Sequence, residues 1–167
     1  GASVQGIQSF IFQTNKLKEI VGASQLVDNI CTSEFKAFFK KECHSELSDE
    51  HRIMSASGNI RYLLEPDACK TIVREFPKYI SDYAPGITIS QAVVEVNNDL
   101  KAKIEELEIM LKEQRNKAAM PVEIGYMGLE RARRTGGVAF KRKGNKVNDR
   151  ATERKINTVS YTHLRAH

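Results

Sequence analysis

The sequence has no tryptophan, and only twelve of its 167 residues are aromatic. Aromatic platforms grip single-stranded nucleic acid without sequence preference, and there is little material here for one. Cysteine is scarce too. Cys31, Cys43 and Cys69 are odd in number and widely spaced. They exclude a disulfide framework and a C-x-x-C metal knuckle, and they suit a reducing cytoplasm, the compartment expected for this chain. No run approaches the ~18 uninterrupted apolar residues of a membrane-spanning helix, so no membrane partner is expected. The opening Gly-Ala-Ser-Val-Gln-Gly lacks the basic and apolar regions of a signal peptide. A Walker loop, G-x-G-x-x-G, H-E-x-x-H and G-x-S-x-G are also missing, which removes the common motifs for phosphate, dinucleotide, zinc-hydrolase and serine-hydrolase chemistry.

What is present is ordinary in amount: 41% hydrophobic and 28% charged residues. That composition fits one globular domain with a sizeable core. The net charge of +5 is uneven: residues 1–114 carry −4, residues 115–155 carry +8, and the last twelve add +1. A basic segment behind an acidic body suggests a polyanion near the second part, or else a solvated basic loop.

The ends are unusual. The first residue is Gly rather than Met and falls inside what reads as a strand. The run from Val159 to His167 resembles a translated sequencing adapter. Residues 158–167 are therefore expected to be a non-native, unpacked tail, and the chain an internal piece of something longer. His163 and His167 then have no meaning as ligands, which leaves His44 and His51. Cys31, Cys43 and His44 can be imagined as metal ligands, but no fourth ligand lies nearby, so no metal site is expected. Asp28 and Glu34 read as solvated helix residues.

Along the chain, Ala2 to Gly6 reads as a strand turning into a helix. Ile7, Phe10 and Ile11 recur at helical spacing. A longer series with a period near 3.6 runs from Leu17 through Ile30 to Phe39. Gly22 interrupts it, which predicts a close helix contact or a break. Ser45–Glu50 is a loop. Residues 52–58 and 59–65 read as two strands around a tight turn at Ser57-Gly58-Asn59. Pro66-Asp67 opens a helix that Pro85-Gly86 stops. Ile87 to Val96 reads as a strand. Asn98 or Asp99 caps an amphipathic helix carrying Leu100, Ile104, Leu107 and Leu111. Beyond Met120-Pro121, Gly125, Gly128, Gly136, Gly137 and Gly144 separate short basic runs, which predicts an irregular segment. The order strand, helix, helix, strand, strand, helix, strand predicts an α+β, ferredoxin-like antiparallel sheet with helices on one face, plus an extra helix and an irregular basic C-terminal segment.

The informative constellation is Gly6-Ile7-Gln8-Ser9-Phe10-Ile11-Phe12, then Lys16-Leu17-Lys18-Glu19-Ile20 and Gly22-Ala23-Ser24, then Ser55-Ala56-Ser57-Gly58-Asn59-Ile60-Arg61-Tyr62-Leu63-Leu64. Over roughly residues 2–96 this resembles the palm domain of the large subunit of type III CRISPR effector complexes. In an active palm of that family, carboxylates at the end of the first strand and at the hairpin turn hold divalent metals. The matching positions here are Ser3 and the Ser57-Gly58-Asn59 turn, which have no carboxylate. The resemblance therefore implies the first, degenerate palm of a two-palm protein. It implies no catalytic residues and no metal in this chain. It places nucleotide-contacting residues at Ser3, Gln5, Gly6, Gln8, Ser57, Gly58 and Asn59.

The expected layout is a palm at 1–98, a connecting helix at 99–118, a basic linker or start of a further lobe at 119–157, and the tail. Arg131, Arg133 and Arg134 are candidates for RNA or phosphate contact, with a solvated loop as the alternative. For the complete protein the resemblance implies ATP and Mg²⁺, a second palm in the same chain, RNA and other effector subunits as partners, and synthesis of cyclic oligoadenylate or a related messenger in antiviral defence. The rival readings are a scaffold with two inactive palms and an unrelated ferredoxin-like module that binds a small molecule.

Overall fold

The computed structural model describes residues 1–117 and 128–165, with the side chains of 160–165 left out. Met120-Pro121, Gly125 and His167, and the side chains of Tyr161, His163 and Leu164, lie outside the described residues.

Four strands, β1 (Ala2–Gln5), β2 (Arg52–Ala56), β3 (Asn59–Tyr62) and β4 (Thr88–Gln91), form a sheet in the order β2-β3-β1-β4. Every neighbouring pair is antiparallel. Helices α1 (Ile7–Ile11), α2 (Leu17–Asn29) and α3 (Phe35–Cys43) connect β1 to β2, and α4 (Pro66–Tyr83) connects β3 to β4. The fold is α+β with the strand order of a ferredoxin-like sheet.

Strand periodicity divides the sheet into two faces. Ala2, Val4 and Ile60 point into a core shared with Leu26, Ile30, Phe38, Phe76 and Ile80. A π-helical turn at Ile30–Glu34 joins α2 to α3. It inserts one residue into the apolar series, so that Phe35, Phe38 and Phe39 stay on the face begun by Leu26 and Val27. Phe35 and Phe38 then pack ring against ring with Phe76, and Phe38 with Tyr79, the centroids of these three pairs lying 4.9–5.3 Å apart. Such pairs add ~0.5–1.5 kcal/mol each beyond their burial. In α4, Pro66 sits in the first turn, and Ile72, Phe76 and Ile80 bury one stripe at four-residue spacing.

The opposite face carries Ser3, Asn59, Arg61 and Ser90. It is partly covered by α5 (Leu100–Arg115), whose Leu107 and Leu111 pack with Ala92 in a second small cluster. The Asp99 carboxylate accepts from the Ala102 N–H and caps this helix, as its sequence position predicts.

Two expectations change. The strand read over 87–96 is shorter in the fold, β4 ending at Gln91 opposite Ala2. One further pair of bonds links Ala92 to Gly1. The segment expected to be irregular contains a hairpin, β5 (Ala139–Lys143) and β6 (Lys146–Asp149), followed by α6 (Arg150–Arg165). The hairpin is hidden in the sequence because β5 is exposed at nearly every position, Phe140 included, and so lacks apolar alternation. Asp149 caps α6 by accepting from the Thr152 N–H.

Helix α6 lies against α2, and Gly22 is the point of contact. A Cβ at this position would lie 2.0 Å from the Lys155 carbonyl oxygen. The close helix contact expected at Gly22 is therefore present. Lys155 itself is 1% exposed. Its ammonium donates to the Phe10 carbonyl at 2.6 Å and to Gln13 Oε1 at 3.2 Å, and sits 4.0 Å over the Phe10 ring. Residue 158, where the tail was expected to begin, falls inside α6, and Val159 is buried.

Candidate functional site

The β2–β3 hairpin closes with Ala56 opposite Asn59, leaving Ser57-Gly58 as a two-residue turn. Both have positive φ, 53° and 81°, which is the requirement of a type I′ turn. Gly58 is needed for a second reason. A Cβ there would meet Ile7 Cδ1 at 2.5 Å, so a side chain at this position would make Ile7 shift where the turn docks on α1. The Gly58 carbonyl accepts from the Val4 N–H at 2.7 Å, tying the turn to β1.

This docking brings Ser3 and Asn59 opposite one another in the ladder, as the sequence reading requires. The Ser3 hydroxyl donates to Asn59 Oδ1 at 2.8 Å. Asn59 Nδ2 donates to the Ser57 carbonyl, and Gln5 Nε2 to the Ser3 carbonyl, both at 3.2 Å. Ser3 is 2% exposed and Gly58 is buried. These two set the geometry, whereas Gly6, Gln8 and Ser57 are exposed and Gln5 and Asn59 half-buried. Gly6, at φ 67°, turns the chain from β1 into α1.

The residue that sequence reading passes over is Arg61. It is 4% exposed. Nη1 donates to the carbonyls of Ala2 at 2.6 Å and Ile60 at 2.9 Å. Nη2 donates to Ser3 Oγ at 3.2 Å and Asn59 Oδ1 at 3.4 Å. Nε donates to Glu108 Oε1 of α5 at 2.8 Å. All five N–H groups of the guanidinium are thus directed at oxygens. The hydrogen bond from Arg61 holds the Glu108 carboxyl below its usual range. The available signal was weak: an arginine at the third residue of a four-residue strand, sharing a face with Asn59.

A divalent metal does not fit this arrangement. Ser3 and Asn59 are neutral, their oxygens are hydrogen-bonded to each other, and a buried monocation lies against both. Hard dications favour anionic oxygen donors in such a site. Among the described residues, no group of three or more His, Cys, Asp or Glu side chains is placed to hold a metal. Cys31 is buried in the core, where desolvation pushes its thiol up to about 11. Glu34, read as solvated, accepts from the Tyr79 hydroxyl at 2.6 Å.

All three candidate arginines are exposed, and two of them also bind within the chain. Arg131 Nη1 donates to the Gly136 carbonyl of its own loop at 2.9 Å. Arg134 Nη2 reaches both carboxylate oxygens of Glu19 on α2, at 2.8 and 3.1 Å. Arg133 is exposed. Glu19 is buried, so Arg134 supplies the counter-charge that its burial demands.

At the other end of the sheet, a cavity of about 1180 Å³ opens between the α3–α4 layer and the start of α5. Phe39, Tyr62, Leu64, Ile72, Val94 and Ile104 are among its walls. The Tyr62 hydroxyl is buried there with no hydrogen-bond partner among the described residues. No helix among the described residues is long and apolar enough to cross a membrane. Comparison with known proteins gave no match, either to a family model or to a curated protein.

Proposed function

We propose that this chain is a non-catalytic palm of a protein similar to the type III CRISPR large subunit. In this reading it supports ATP binding at the Ser3–Asn59 end of its sheet, while a second palm performs the chemistry. The reading rests most heavily on one observation: β1 and the hairpin turn meet at Ser3 and Asn59, the positions matched to the carboxylates of an active palm, through a hydroxyl and an amide. Ser57, Asn59, Gln5 and Gln8 offer hydrogen bonds to a base, ribose or phosphate without offering charge. A complete protein of this kind makes cyclic oligoadenylate or a related messenger in antiviral defence, in the company of RNA and effector subunits.

The test is ATP titration of the isotope-labelled chain, followed by backbone amide shifts. Shifts should concentrate at residues 3–8 and 57–59 and persist in EDTA, and incubation with ATP and Mg²⁺ or Mn²⁺ should yield no product. ATP conversion that is lost in Asn59→Ala, or an absence of shifts at the turn, overturns the reading.

The cavity favours a second reading, a regulatory module for a mostly apolar small molecule. Pockets of this kind combine apolar walls with a few placed polar atoms. Stoichiometric binding of 1-anilinonaphthalene-8-sulfonate with shifts at Tyr62, Ile72 and Ile104, and no ATP response at the turn, would favour this alternative.

A further inference from the structure

Four oxygens line the two terminal nitrogens of one side chain between β1 and the hairpin: the carbonyls of Ala2 and Ile60 accept from Nη1, and Ser3 Oγ and Asn59 Oδ1 accept from Nη2. A cage of two carbonyls and two neutral side-chain oxygens suits a cation that brings its own hydrogen-bond donors. The occupant is the Arg61 guanidinium, and Glu108 on α5 balances its charge through Nε. We propose that Arg61 is the resident cation of this sheet face: it does the work of a metal by joining strand end to hairpin turn, and its charge bars a divalent ion from the site.

Three features argue for this role. The guanidinium contacts β1 and β3, which a bridging ion would join, and reaches α5 as well. Its planar fork supplies five donors, against three on a lysine, and no donor is left over for an incoming phosphate. Glu108 contributes one carboxylate, so cage and cation together are close to neutral and the burial of charge is compensated. Arg61 is therefore a positioning residue, and any ligand at Gln5, Ser57 or Asn59 meets a turn held without metal. The choice of position draws on the palm reading, but metal exclusion is measured without nucleotide, so the two can fail separately.

The experiment compares Mn²⁺ binding, by loss of the free-ion paramagnetic resonance signal, in the native chain and two variants. Ser3→Asp/Asn59→Asp supplies the carboxylates but keeps the guanidinium. Ser3→Asp/Asn59→Asp/Arg61→Ser supplies them and removes it. The triple variant should bind one Mn²⁺, and the double variant should bind on the order of 100-fold more weakly, because a dication would sit within a few ångströms of a buried positive charge. Equal affinity in the two variants overturns the proposal, and so does a folded triple variant that binds none. Should the triple variant fail to fold by circular dichroism, the double variant alone decides. Stoichiometric Mn²⁺ binding by the double variant overturns the proposal, and binding that is weak or no greater than the native chain's sustains it.

Discussion

Replacing Gly22 by alanine tests whether α6 truly packs on α2. In an isolated helix this change is favourable by ~0.5–1 kcal/mol, since glycine loses the most backbone freedom on folding. In this fold the new Cβ lies 2.0 Å from the Lys155 carbonyl oxygen, 2.8 Å from the carbonyl carbon and 3.1 Å from Val159 Cγ2. Ordinary contact begins near 3.4 Å, so α6 must move away by more than an ångström. The obstacle is backbone, so no rotamer change relieves it. The shift would loosen Lys155 from the Phe10 carbonyl and uncover Val159. Overpacking of a core usually costs ~1–3 kcal/mol. Set against the helical gain, the net loss should be about 1–2 kcal/mol, or roughly 3–8 °C in Tm for a chain of this size. Urea denaturation followed by circular dichroism reads it directly. Val159→Ala in the same background should restore little, because the nearest contact is the carbonyl rather than the methyl. A Gly22→Ala variant that is more stable than the parent would refute the packing of α6 on α2.

Two further outcomes follow from burial and charge. Under native conditions iodoacetamide should modify Cys43 and Cys69 well before Cys31, whose thiol is buried and pushed up to about 11; peptide mass spectrometry that finds Cys31 labelled first would contradict the core assignment. Glu108 has its pKa lowered in the folded state by the Arg61 hydrogen bond, so its contribution is complete above the unfolded value near 4.5 and disappears as pH falls through the lower, folded value. Glu108→Gln should therefore flatten the acid limb of stability against pH while changing the neutral region less, and an unchanged acid limb would remove Glu108 from the clamp.

Local pattern carried the sequence reading a long way. The alternation of Ala2 and Val4, the helical series ending in Phe38 and Phe39, and the Pro66 and Pro85-Gly86 boundaries give the element order of the sheet domain. The Ser57-Gly58-Asn59 run marks its turn. These features depend on residues within a few positions of one another, where period and turn chemistry are decisive.

Tertiary structure decided the rest, because it depends on partners far away in the chain. Arg61 and Lys155 look like surface charges in any local window. They are buried because the Ala2 carbonyl stands 59 residues away from one and the Phe10 carbonyl 145 residues away from the other. The β5–β6 hairpin carries no apolar alternation to betray it, and α6 is held on α2 by a glycine whose role appears only when the facing carbonyl is in place. The sequence by itself determined where backbone elements start, turn and stop. Only the folded chain decided which charges lie inside, since the burial of a charge is set by the oxygens that three-dimensional packing brings around it.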